Sequence, residues 1–263
     1  MAPASDVCLE RDVQQIVGVS EVQRPIEHEA VAETGPDAFS TPLMRPVFGQ
    51  SMHQYLEQLR PSLDLSQFAR VSSMEEDGLY LHKRHIRGDH GKMLEQAGTA
   101  LLHTVVYLKN GQKIVSLDFG PVGEADVTAN LTEAVPCGPV MHDPAEQPGD
   151  TVELPFLHIK VPHYPADSEA LSKAVEFSQS RLYHAFANNC IQNTDFFIRA
   201  LTGGEIRNAP LVYDALCGHV PAQDNPMLVM FMLMTGISWF DVCDGSRAAA
   251  DFLREHLKPA VPS

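Results

Sequence analysis

Residues 101–108 read LLHTVVYL, residues 114–119 read IVSLDF, and Asn110-Gly111 lies between them. The flanking runs are apolar and β-branched, which favours the pleated half-buried surface of a sheet. Asn-Gly accepts the positive φ angles that a tight two-residue turn demands, so twin strands around it predict a hairpin. An isolated hairpin is marginal in water and needs further strands or a helix against one face. LYLHKRHI at 79–86 alternates and supplies a candidate strand, and FLHIKV at 156–161 supplies another. Helical patterns follow rather than alternate with these strands. Residues 168–187 form an amphipathic run with Leu171, Ala174, Val175, Ser178, Leu182 and Ala185 on one side. Residues 191–202 place Ile191, Phe197, Ile198 and Leu201 on a second apolar face, and Gly203-Gly204 stops it as a helix C-terminus requires. Strands and helices in separate runs predict an α+β fold, with an antiparallel sheet packed against helices.

The rest of the chain organises around that core. Residues 1–40 hold two arginines against eight acids and show weak periodicity, so they read as a poorly ordered acidic arm. Residues 41–263 read as a single domain with its core at 78–210. GQSMHQYLEQLR at 49–60 has helical spacing, with Pro61 ending it, and 92–100 reads as a short helix. Residues 120–155 carry six prolines and many acids without a Lys or Arg, the pattern of a long acidic loop. The tail from 205 onward reads as two or three more helices, with 211–263 a helical extension. Within it, MLVMFMLMTGISWF at 227–240 is too short to span a bilayer and reads as a buried core helix, or else as a membrane-dipping or partner-binding one.

Charge and cysteine usage exclude several functions. Lys plus Arg is 19 and Asp plus Glu is 34, a net of 19 − 34 = −15. That balance lacks the basic surface that nucleic acid or anionic lipid requires. The five cysteines are widely spaced with no CxxC, against a zinc ribbon or a thioredoxin-type pair. The first residues, MAPASDVCLERDV, have no basic or apolar signal segment, so the expectation is a cytoplasmic chain with free thiols. There is no GxSxG, GxxxxGK[ST] or GxGxxG, and no cofactor is expected.

One cysteine has a chemically suggestive address. Asn188-Asn189 offers an N-cap, which sets Cys190 in the first turn of the 191–202 helix. The positive end of the helix dipole favours thiolate over thiol there. The other reading is a small buried apolar residue. A thiolate nucleophile needs an imidazole, and His103 stands near the start of a strand that would fix its direction. His82, His85 and His90 with Asp89 form a local cluster, but Lys83, Arg84 and Arg87 crowd it, so a basic polar surface is expected there and no metal.

These pieces together resemble a known family. Leu102-His103-Thr104-Val105-Val106 followed by Asp118-Phe119-Gly120, and Asn189-Cys190 followed by Phe196 or Phe197 and Leu201-Thr202-Gly203 with Ile206, are similar to the PPPDE family. These are circularly permuted papain-fold cysteine peptidases that include desumoylating isopeptidases. His before Cys is the order that permuted fold requires. The resemblance implies a permuted papain-like fold, related to NlpC/P60 enzymes, over about 78–210. It implies Cys190 as nucleophile and His103 as base, acting on a peptide or isopeptide bond, with a ubiquitin-like modifier as one substrate. Supporting roles fall to Asn189 or Gln192 as oxyanion donors beside the Cys190 N–H, and to Asp118 or Ser116, on one strand face, as the group orienting the imidazole. Gln192 stands where the family often has Asn or His. Acyl transfer or amidase chemistry on the same fold, and a catalytically silent binding module, are the competing readings.

Overall fold

The computed structural model describes residues 54, 57–58, 64–85, 102–122, 133–144, 154–217, 234 and 239–256. The expected arm at 1–40, the 92–100 helix and most of the 49–60 and 227–240 segments lie outside them. The strands are β1 (Phe68–Val71), β2 (Gly78–His85), β3 (Leu102–Asn110), β4 (Lys113–Asp118), β5 (Val135–Pro136), β6 (Met141–His142), β7 (Phe156–Ile159) and β8 (Leu182–Tyr183). The helices are α1 (Glu169–Gln179), α2 (Cys190–Leu201), α3 (Ala209–Cys217), α4 (Trp239–Cys243) and α5 (Ser246–His256). Among the described residues the fold is α+β. A six-stranded sheet runs β1-β7-β2-β3-β4-β6 with antiparallel pairing throughout, and β5 pairs with β8 in a two-stranded ribbon. No described helix is long and apolar enough to cross a membrane.

The predicted hairpin forms as β3–β4, with Gly111 at φ 57° in its turn. Asp77 adds a lock, its side chain accepting from the Gly111 N–H at 2.7 Å. Strand alternation then sorts the sheet into two faces. Leu79, Leu81, Val106, Leu108, Val115 and Leu117 form one face and pack with Phe196, Phe197, Ile198 and Leu201 of α2. These four α2 side chains are at most 1% exposed, and each contributes about 1.5–3 kcal/mol by leaving water. Tyr80, Val105 and Tyr107 belong to the opposite face, with Phe156 packed against them. α2 is the hub, touching β3, β4, α1, α3, α4 and α5.

Two expectations are corrected. The helix predicted over 168–187 stops at Gln179, with Ser168 capping its start and Ser180 its end. Residues 182–183 instead extend as β8 and pair with Val135 and Pro136. Within the expected acidic loop, the short strands β5 and β6 pair with β8 and β4 respectively, and 123–132 and 145–153 lie outside the described residues. Finally, His82, Lys83 and Arg84 are 8%, 3% and 6% exposed, so this stretch is buried rather than a basic polar surface. Burial is possible because each cation has a carboxylate: Lys83 pairs with Asp214 of α3, and Arg84 with Asp118.

Candidate active site

The turn before α2 is held by a dense set of hydrogen bonds. His184 and Asn188 exchange both backbone bonds, and His184 Nδ1 accepts from the N–H groups of Phe186 and Ala187. Asn188 donates to Leu182 O at 2.6 Å, and its own side-chain oxygen accepts from Asn193 at 3.0 Å. Asn189 then caps the helix. Its Oδ1 accepts from the Gln192 N–H at 3.0 Å while Gln192 Oε1 accepts from the Asn189 N–H at 3.1 Å, a reciprocal capping box. Cys190 is therefore fixed as the first residue of α2, at the positive end of a 12-residue helix.

The histidine arrives from the end of β3. Asp118, the last residue of β4, pairs with Val105, so β3 runs past its neighbour and His103 stands beyond β4. Alternation gives His103, Val105 and Asp118 one face. His103 Nε2 bonds Asp118 Oδ1, and the other carboxylate oxygen accepts from Arg84 Nη2. The register puts Arg84 directly opposite His103 on β2. With Nε2 taken, Nδ1 is the nitrogen left for Cys190, to which His103 also hydrogen-bonds. Gly120 passes close by the ring, where a Cβ would make an ordinary contact 4.0 Å from His103 Cε1.

The electrostatics follow from these contacts. Burial opposes a charge on His103, but the Asp118 carboxylate and the Cys190 thiolate outweigh it and push the imidazole up to about 10. Burial likewise opposes the Asp118 anion, yet His103 and Arg84 hold its carboxyl far below the usual carboxylate range. Burial raises the Cys190 thiol, and His103 together with the N–H and hydroxyl of Thr104 reverses that and lowers it. Thr104 is aimed by Thr194 of α2, whose hydroxyl donates to Thr104 Oγ1 at 3.0 Å and leaves the Thr104 proton for the sulfur. Cys137, Cys217 and Cys243 go the other way. Burial raises all three, and Cys217 reaches about 11. Cys217 and Cys243 also feel cations, Arg70 and Lys83 for the first and Lys83 for the second, but burial outweighs them, whereas at Cys190 the His103 and Thr104 contacts outweigh burial.

The sequence-predicted residues separate on this geometry. Cys190, His103 and Asp118 come together. Ser116 is two residues back on β4, paired with Tyr107, and its hydroxyl donates to His142 O at 3.3 Å rather than to the imidazole. The Asn189 and Gln192 amides are engaged in the helix cap and donate onward to Ala185 O and Asp241 O. Arg84, Thr104 and Tyr183 enter the site without having been singled out. Strand parity beside His103 signalled Arg84 and Thr104 only weakly, because their partners come from β4 and α2. Tyr183 is half-buried, its ring 5.8 Å from Phe119, and burial plus the Cys190 and Asp118 anions raise its phenol. The arrangement can hold a thiolate beside an imidazolium at neutral pH. Compared with known proteins, the chain matches no family model, no curated protein and no solved structure.

Proposed function

We propose that this chain is a cysteine hydrolase of the permuted papain-like class, cleaving a peptide or isopeptide bond. The observation that carries the reading is the chain of contacts Arg84–Asp118–His103–Cys190, which ends on the described cysteine whose thiol is shifted down. The Cys190 thiolate attacks the carbonyl carbon and forms the C–S bond. His103, protonated on Nδ1, gives its proton to the leaving amine as the C–N bond breaks, and then takes one from the water that releases the acid. Asp118 keeps the imidazole in one orientation and stabilises its charge, and Arg84 keeps Asp118 ionised. The order of the histidine strand before the cysteine helix supports the permuted class. A polypeptide with a small-residue tail, as at the C-terminus of a ubiquitin-like modifier, is the substrate that a thiol only 7% exposed would admit.

The test is activity-based labelling. Ubiquitin and SUMO vinyl sulfones are expected to modify Cys190, and Cys190→Ala is expected to abolish the adduct. A Cys190 that reacts with iodoacetamide no faster than an unperturbed thiol at neutral pH refutes the hydrolase reading.

A further inference from the structure

A groove of about 410 Å³ opens between the end of α1, the turn before α2 and α5. That volume suits a small ligand or one or two side chains of a peptide. Asn188 and Gln192, two residues before and two after Cys190, line it, so the groove reaches the segment that carries the nucleophile. Its apolar part is aromatic, with the half-buried Phe177 ring 5.7 Å from that of Phe252. Arg181, two residues beyond α1, stands in the same groove with its guanidinium 5.4 Å from the centre of the Phe177 ring. Among the described residues no carboxylate or carbonyl accepts from that guanidinium. Burial draws it down from its ordinary value, and no anion opposes the shift. The carboxylates along the groove face other partners. Asp244 accepts from the Ser246 N–H at 2.9 Å and from its hydroxyl, Asp251 accepts from Arg254 at 3.0 Å, and Glu255 lies 3.7 Å from His256. Arg247, exposed on the α5 side, adds a second cation. The chain has 34 Asp and Glu, yet none of the described ones meets Arg181. A half-buried fork of five donors without an acceptor is complementary to an anion brought from outside.

Resting on the thiol-hydrolase reading above, we propose that this groove is a substrate subsite in which Arg181 pairs with an Asp or Glu side chain of the polypeptide being cut. The planar guanidinium can donate two parallel hydrogen bonds to one carboxylate while its face stays on Phe177. Phe177 gives the neighbouring apolar side chain of the same peptide a surface to cover. Arg181 is then a specificity residue that selects acidic sequences and transfers no proton.

Peptide binding to the full chain tests the inference. The probes are fluorescein-labelled Ala-Leu-Glu-Glu-Leu-Gly-Gly and its counterparts with both Glu replaced by Gln or by Lys, at one ionic strength. The wild type is expected to bind the Glu peptide about 10-fold more tightly than the Gln peptide by fluorescence anisotropy, the gain from one charge-assisted pair. Arg181→Gln is expected to erase that preference and to leave Cys190 alkylation by iodoacetamide at the wild-type rate. Arg181→Glu is expected to turn the preference to the Lys peptide, a gain that a damaged fold could not produce. In the wild type the Glu peptide is expected to slow Cys190 alkylation, as a substrate running from the groove to the sulfur would. Equal affinity of the wild type for the Glu and Gln peptides overturns the inference, as does a preference that survives in Arg181→Gln. A Glu peptide that binds through Arg181 without slowing Cys190 makes the groove an anion site apart from the substrate path and also overturns it. A wild-type Cys190 slow toward iodoacetamide in the absence of peptide overturns the hydrolase reading, while the peptide affinities still judge the groove.

Discussion

Asp118→Asn is the perturbation that bears most directly on the proposed site. The imidazole stands about 3.5 pH units above its ordinary 6.5, at about 10. At 1.36 kcal/mol per unit that is about 5 kcal/mol in favour of the imidazolium. Two anions supply it against burial, and Asp118 is the larger of them. Replacing it by a neutral amide of the same shape is expected to remove at least half, about 2 units or about 3 kcal/mol. The thiolate–imidazolium pair then becomes about 100-fold less favourable relative to the neutral thiol–imidazole pair. The assay is the rate of Cys190 carboxamidomethylation by iodoacetamide between pH 4 and 10. In the wild type the rate is expected to rise well below the ordinary thiol range of about 8.5. In Asp118→Asn that rise is expected to move up by as much as about 2 units. Arg84 complicates the variant, since it would be left buried without its carboxylate, a loss of about 3–5 kcal/mol of stability. The double variant Arg84→Met with Asp118→Asn removes the buried cation together with the carboxylate's charge and is expected to recover stability while keeping the shifted alkylation profile. An alkylation profile identical to wild type in the folded double variant would refute the claim that Asp118 poises the pair.

Three further outcomes are expected. Thr104→Val removes the hydroxyl bonded to the Cys190 sulfur; a hydrogen bond to a charged group is worth about 1.5–3 kcal/mol, so the alkylation rise should move up by about one to two units, and an unmoved rise refutes the contact. Gly245→Ala would bring a Cβ within 2.2 Å of Gln192 O and 3.0 Å of Phe196 N, so a destabilisation of about 1–3 kcal/mol in urea unfolding is expected, together with slower Cys190 alkylation because Gln192 lies in the same first turn as Cys190. Asp195 is wholly buried between the N–H groups of Ala209 and Gly245, and burial with the nearby Asp244 raises it to about 7 from an ordinary 3.8. A raised carboxyl stabilises the fold below its unfolded value and loses that contribution as pH climbs through its folded value, here about 4 kcal/mol at most between pH 4 and 7. Asp195→Asn, measured by urea unfolding across that range, should lose this part of the pH dependence; curves parallel to wild type refute it.

How much of this was legible in the sequence depended on the range of the interactions. The β3–β4 hairpin is written in Asn110-Gly111 and its flanking strands, and the start of α2 in Asn189 followed by an apolar face, because turns and caps are closed by residues a few positions apart. Residues 180–188 misled for the converse reason. Leu182 and Ala185 continue the helical spacing of α1, but a strand partner at Val135–Pro136 overrides local propensity, and a period cannot announce a partner some 47 residues away. Lys83 and Arg84 show the same limit in charge. Local reading puts such a pair on the surface, since each would be costly to bury alone. Their carboxylates stand 131 and 34 residues away, at Asp214 and Asp118.

That adjacency of Lys83 and Arg84 explains more than their burial. Successive residues of a strand face opposite sides, so β2 necessarily sends one cation into each layer. Lys83 meets Asp214 and lies 5.4 Å from the Tyr213 ring, which ties α3 to the sheet. Arg84 meets Asp118 on the other face and, with the larger effect of His103, holds that carboxylate ionised. A one-residue slip of β2 would exchange the two, leaving a lysine for Asp118 and an arginine for Asp214. Lysine gives a carboxylate a single rotatable ammonium, whereas the planar guanidinium holds Asp118 in a fixed direction while its other oxygen stays on the imidazole. The register of one strand thus fixes both the attachment of a helix and the ionisation of the site.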